Sequence, residues 1–266
     1  MSEPPITVKS LLEMKAAGHK ISCLTCYDAS FARLLEAAGV EVLLVGDSLG
    51  MVIQGQESTL PVTLDEMVYH TRNVARARQR ALILADMPFM SYRSPALALE
   101  SAGRLMKEGG AHMVKLEGGS SQLETVSRLA TLGIPVCGHL GLLPQSVHKL
   151  GGYRVQGRDP SGAAHLREDA LALQQAGADL LVLECVPAAL ATEISRALTI
   201  PVIGIGAGPE TDGQVLVLYD ILGMHAGPPR FVQNFLQQGG SIQQALQDYV
   251  RAVRHGRFPG PGQSYR

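Results

Sequence analysis

The sequence predicts an α/β protein folded as one (β/α)8 TIM barrel, residues 1–266, with an extra N-terminal helix. Three observations predict it. Eight apolar runs of strand length recur along the chain, with helix-like segments between them. The runs are almost continuously hydrophobic, as parallel strands covered on both faces require. One pattern is also echoed: EAAGVEVLLVGD, KEGGAHMVKLEG and QQAGADLLVLEC each read as a helix end, a glycine, a short turn and a strand closing on an acid. Repeated αβ units imply one parallel sheet. Eight of them suit a closed barrel better than an open doubly wound sheet, which needs a glycine-rich first turn.

In chain order, TVKSLLEMKAAG (7–18) reads as a helix within an N-terminal extension, 1–20. Strands are expected at 21–27, 42–46, 81–86, 113–117, 135–139, 180–184, 201–205 and 215–219. Capping chemistry marks the helix starts. Thr63-x-x-Glu66 and Ser121-x-x-Glu124 read as capping boxes, and Ser94-Pro95 as an N-cap with a first-turn proline. Gly39, Gly133 and Gly177 each follow a helical pattern and read as stops. Two long connections follow strands: SLGMVIQGQESTLPV after Asp47, and the 22-residue GLLPQSVHKLGGYRVQGRDPSG after the fifth strand. The second carries Arg154 and Arg158 and exceeds the ~12–15 residues beyond which loops are usually functional. GIGAGPETDG after the seventh strand sits where barrels often bind phosphate, although its glycines equally suit close packing. Residues 256–266 read as a loose Pro/Gly tail.

The totals narrow the partners. A net charge of -1 over 266 residues offers no basic excess to drive nucleic-acid or membrane binding. No apolar run reaches the ~18 residues of a membrane span, and no charged-then-apolar leader opens the chain, so a cytoplasmic protein is expected. Cys23 and Cys26 form a C-x-x-C, but all four cysteines lie in apolar strand-like runs, where a free thiol behaves as a small hydrophobe.

Chemistry concentrates where the strands end. Asp47, Asp86, Glu117 and Glu184 each close a strand, and His139 closes another. In a barrel these ends converge on the catalytic face. One such acid is ordinarily a turn residue, and several could pair with Arg and Lys in a structural network. Four crowded carboxylates repel one another, and a divalent cation with a taste for hard oxygen ligands, such as Mg2+, relieves that repulsion. Within HMVKLEGG, Met113, Lys115 and Glu117 share one strand face, so the lysine adds a positive charge for an anionic ligand. Glu184, between Leu183 and Cys185, is the candidate general base, since burial raises a carboxylate pKa.

Six segments, CLTCYDASFA, VGDSLGMVIQGQESTLPVTLDEMVYHTRNV, ADMPFMSY, MVKLEGG, GHLGLLPQSVHKLGGYRVQGR and IGIGAGPETDGQVLVLYDILG, run in order from residue 23 to 223. Together they resemble the ketopantoate hydroxymethyltransferase family. The resemblance implies a barrel of the phosphoenolpyruvate/pyruvate type and transfer of a hydroxymethyl group from 5,10-methylenetetrahydrofolate to the 2-oxoacid 3-methyl-2-oxobutanoate. It implies one Mg2+ per subunit held by Asp47, Asp86 and Glu117. It implies substrate contacts from Asp47, Ser48, Asp86 and Lys115, Glu184 as proton acceptor, and a homo-oligomer, a decamer as is typical of this family. His139 stands either as a catalytic orienting or relay group or as a satisfied strand-end histidine. Leu143 departs from a frequent threonine, Gln56-Glu57 from a common His-Asp, and Pro209 follows the glycine turn; none touches the acids. Two alternatives stay open: a metal-dependent C–C lyase of a 2-oxo or 2-hydroxy acid, and a non-catalytic binding barrel. Lyases of that kind place a catalytic cysteine in a loop, and neither long loop here holds one.

Overall fold

In the computed structural model, which describes residues 4–225 and 227–266, eight parallel strands close on themselves in sequence order. They are β1 (Ile21–Thr25), β2 (Val42–Val45), β3 (Leu82–Asp86), β4 (Met113–Glu117), β5 (Val136–Gly141), β6 (Leu180–Glu184), β7 (Val202–Ile205) and β8 (Gly213–Leu216). The ring is completed by β8 against β1, with Ile21 opposite Gly213.

The period-two alternation sorts residues into two cores. Outward positions such as Leu24, Leu43, Ile83, Val114 and Leu181 pack under the surrounding helices. Inward positions form a second cluster: Ile21, Cys23, Val42, Leu82, Leu84, Met113, Cys137, Leu180, Val182 and Ile203. Leu11 from the N-terminal helix Val8–Ala16 joins that inner cluster, so the helix plugs the N-terminal mouth of the barrel. Lys15 pins it there, donating to Asp212 Oδ2 at 2.7 Å and to Ser195 O at 2.8 Å. The bottom of the barrel is therefore closed and apolar, and polar inward residues are left for the other end.

Several expectations need correction. The eighth strand lies at Gly213–Leu216, not 215–219, and Leu218–Ile221 is a short helix. The start is not apolar: a Cβ on Gly213 would stand 2.3 Å from Ile21 O, so glycine permits the close approach to β1. The buried Gln214 next to it donates to Gly208 O at 3.0 Å. β7 and β8 are joined directly by residues 206–212, so that repeat has no helix. The box at Thr63 forms, with Thr63 N donating to Glu66 Oε2 at 2.7 Å. The one expected at Ser121 does not. There a 3-10 turn, Ser120–Gln122, leads into helix Leu123–Thr131, and Ser120 N donates to Asp169 Oδ1 at 2.8 Å. The N-cap position of that helix falls on Gln122, one residue past Ser121, and carries no side-chain capping bond. The C-terminal residues expected to be loose are packed: Phe258 is buried, and Ala188 N donates to Tyr265 O at 3.0 Å. All four cysteines are free and buried. Among the described residues no helix is long and apolar enough to cross a membrane.

Candidate active site

At the C-terminal mouth the inward face changes chemistry. Four strands turn polar past their inward apolar residues: Leu82 and Leu84 are followed by Asp86, Met113 by Lys115 and Glu117, Cys137 by His139, Leu180 and Val182 by Glu184. These side chains line a cavity of about 900 Å³ with Asp47 and Ser48 from the connection after β2. All seven residues singled out from the sequence therefore meet in one space. Asp47, Asp86, Lys115, Glu117 and His139 are buried, whereas the side chain of Glu184 keeps 14% exposure toward the cavity.

The contacts order the group. Lys115 Nζ stands 3.0 Å from Asp86 Oδ1, close enough for an ion pair but not aligned for a hydrogen bond. Lys115 Nζ also lies 3.3 Å from His139 Nδ1. An ammonium only donates, so Nδ1 accepts and the ring proton sits on Nε2. Nε2 faces Glu184 Oε2 at 3.2 Å, off the hydrogen-bond line. Asp86 Oδ2 accepts from Asp47 N at 3.1 Å, which fixes the turn after β2. Ser48 Oγ meets Tyr27 OH at 2.8 Å. β5 and β6 bring His139 and Glu184 side by side because Gly141, at φ 92°, lets the backbones approach; a Cβ there would stand 2.2 Å from Glu184 O.

Electrostatics follow from four carboxylates gathered round one lysine. Burial, reinforced by Asp86, pushes Asp47 up to about 7. Burial holds Glu117 well above the carboxylate range despite Lys115. Burial likewise pushes Glu184 up to about 8. Burial opposes the charge on Lys115, but Asp86, Glu117 and Asp47 outweigh it and raise the ammonium pKa. Burial and then Lys115 depress His139 well below its usual value, so the imidazole is neutral.

The sequence reading missed several residues at this mouth. Gln145 and Tyr92 are buried between the carboxylates, and Tyr153 and Tyr265 line the outer cavity. Gln145 sits in an irregular loop, where no periodicity marks it. Arg154 and Arg158, noted in the same loop, are exposed.

A family model for ketopantoate hydroxymethyltransferase matches residues 5–261. The chain belongs to the ketopantoate hydroxymethyltransferase family. A 3-methyl-2-oxobutanoate hydroxymethyltransferase of Nitrosococcus oceani is 63% identical over 255 residues, covering 96% of this chain and 97% of the relative. That of Halorhodospira halophila is 61% identical over 256 residues, covering 96% and 93%. Solved structures add the likeness of the barrel. Phosphoenolpyruvate phosphomutase from Streptomyces platensis subsp. rosaceus superposes with a TM-score of 0.62 at 14% identity, covering 94% of this chain and 95% of that one. Oxaloacetate acetylhydrolase bound to 3,3-difluorooxalacetate gives 0.59 at 16% identity, covering 97% and 100%. At such identities the likeness shows the fold alone.

For a member of the ketopantoate hydroxymethyltransferase family, the fit of Mg2+ can be tested on this donor set. Asp47, Asp86 and Glu117 offer hard oxygens, and Asp86 Oδ1 is a buried oxygen with no hydrogen-bond partner. Among the described residues no three His, Cys, Asp or Glu side chains close into a ligand cage. Mg2+ does not need one, since it commonly takes one or two carboxylates and completes its shell with water and substrate oxygens. The residues fit the ion.

Proposed function

We propose that this protein transfers a hydroxymethyl group from 5,10-methylenetetrahydrofolate to 3-methyl-2-oxobutanoate, giving 2-dehydropantoate for pantothenate and coenzyme A biosynthesis. The observation that carries the reading is the family match over residues 5–261. Mg2+, one per subunit, would be held by Asp47 and Asp86, with Glu117 bound directly or through one water. When bound, it supplies Lewis acidity to the oxoacid's keto group and so acidifies the C3 hydrogen.

The chain's own side chains do the rest. Lys115 and Ser48 hold the substrate carboxylate, with Lys115 kept charged by the three acids around it. Glu184 takes the C3 proton. A base works best with a pKa near the working pH, and burial has moved Glu184 to about 8. His139, neutral and carrying its proton on Nε2, orients the Glu184 carboxylate from 3.2 Å. Water breaks the C–N bond of the folate's methylene iminium, leaving tetrahydrofolate and formaldehyde; the C3 carbon then bonds to the formaldehyde carbon, and its oxygen takes back the proton held by Glu184 to become the hydroxyl. The cavity, about 900 Å³, has room for a folate beside a five-carbon acid. We assign the protein to the cytoplasm and to a homo-oligomer, a decamer, on the family resemblance.

The test is direct. Purified chain, Mg2+, the oxoacid and the reduced folate should yield 2-dehydropantoate by mass spectrometry. No product from an enzyme that instead cleaves a 2-hydroxy acid would overturn the reading in favour of a lyase.

A further inference from the structure

Gln145 is the residue that the proposed reaction leaves without a task. It lies in the 3-10 turn Pro144–Ser146 just past β5, and it is buried to 6% exposure among the acids. Its backbone N–H donates to Glu117 Oε2 at 3.0 Å. Its side-chain Nε2 donates to Asp47 Oδ2 at 2.8 Å and to Met87 O at 3.0 Å. Its Oε1 accepts from Tyr92 OH at 2.5 Å, and Tyr92 OH accepts from Glu117 N at 3.4 Å.

This network leaves the amide one orientation. Nε2 faces two acceptors, a carboxylate and a carbonyl, so the flipped amide would set oxygen against oxygen twice. Tyr92 enforces the choice by donating to the other end. The terminal torsions of Asp and Glu are otherwise soft, so a buried carboxylate with no donor has no fixed plane. Here one residue grips two carboxylates, through its main chain and its side chain.

We propose that Gln145, locked by Tyr92, is a positioning residue that sets the planes of the Asp47 and Glu117 carboxylates and so preorganises them for a divalent cation. The inference rests on the Mg2+ reading above. The competing explanation is that Gln145 only fastens the connection after β5 to the barrel rim. Fastening predicts a looser loop and unchanged cation affinity. Positioning predicts weaker cation binding that excess metal rescues.

The experiment titrates Mn2+ into the full chain without substrate, followed by calorimetry and by the electron paramagnetic resonance of free Mn2+. Gln145→Met keeps the volume and removes every side-chain hydrogen bond. Loss of a group that orients a metal ligand typically weakens metal binding ~10–100-fold, and that is the expected rise in Kd. Tyr92→Phe removes the donor that holds the amide oxygen, loosens the amide without reversing it, and should move Kd in the same direction by a smaller factor. Turnover of both variants should recover toward wild type as Mn2+ is raised, which damage to the fold would not allow. Wild-type Mn2+ affinity in both variants overturns the proposal, even if the loop becomes protease-sensitive. Should Gln145→Met fail to fold, Tyr92→Phe decides by the same criterion. A wild-type chain that binds no Mn2+ overturns the Mg2+ reading itself, a failure distinct from normal binding in the variants.

Discussion

Glu184 and Lys115 occupy one cavity and face opposite problems of charge. Glu184 must lose a proton to act, and burial resists that loss, holding the carboxyl at about 8. A base is competent only when ionised, so substrate C3 exchange should rise as pH climbs toward 8 and fall away below it. Glu184→Gln keeps the shape and should still bind Mg2+ and the oxoacid. It should lose deuterium exchange at C3 by ~10²–10⁴-fold, the usual worth of a general base. Exchange at the wild-type rate, read by NMR, would move the base elsewhere. Lys115 must keep its charge, and Asp86, Glu117 and Asp47 ensure that it does. Lys115→Met roughly preserves length and removes the charge. A buried charge-assisted contact contributes about 1.5–3 kcal/mol, so Kd for the oxoacid should rise ~10–150-fold while metal binding survives. If the variant unfolds and its folded fraction binds the oxoacid normally, the lysine is a structural partner of Asp86.

Two motifs that look alike in the sequence separate at the scale of elements. Thr63-x-x-Glu66 forms its reciprocal cap, whereas Ser121 makes no capping bond because its helix starts at Leu123, with Gln122 at the N-cap. Thr63→Ala should therefore destabilise the protein by about 1 kcal/mol, and Ser121→Ala by only a few tenths. Equal losses in urea unfolding would contradict the assignment. The contrast shows what the sequence made legible. Local chemistry, such as the glycine at Gly39 with φ 87° or the Ser94 cap, is written in adjacent residues and was readable. So was the ring of acids, because alternation along a strand fixes which residues share a face. Features set by another part of the chain were not: the early start of β8, the absent helix after β7, the packed C-terminal residues and the buried Gln145. Each depends on a partner far along the chain that no window of sequence contains.

Over the whole molecule the barrel is apolar at one end and crowded with acid at the other, and that asymmetry should be visible in its stability. Asp47 is pushed up to about 7 and Glu184 up to about 8, while unfolded carboxylates titrate near ~4. Between those values the folded chain holds protons that the unfolded chain has released. Stability then falls as pH rises, because the slope follows protons bound when unfolded minus protons bound when folded. His139 acts with the opposite sign: it is neutral when folded, and its unfolded form takes up a proton below ~6.5. Above that pH its contribution is nearly complete, so the acids should dominate the interval from 6.5 to 8, the buried cysteines adding to the same trend toward its upper end. Each held proton is worth about 1.4 kcal/mol per pH unit there, enough to lower the Tm of chelator-treated protein by several degrees. Mg2+ prefers ionised carboxylates, so the Tm gained on adding it should grow across the same interval. A Tm independent of pH without metal, and a Mg2+ increment that does not change between pH 6.5 and 8, would show that these acids are not held protonated together at the mouth of the barrel.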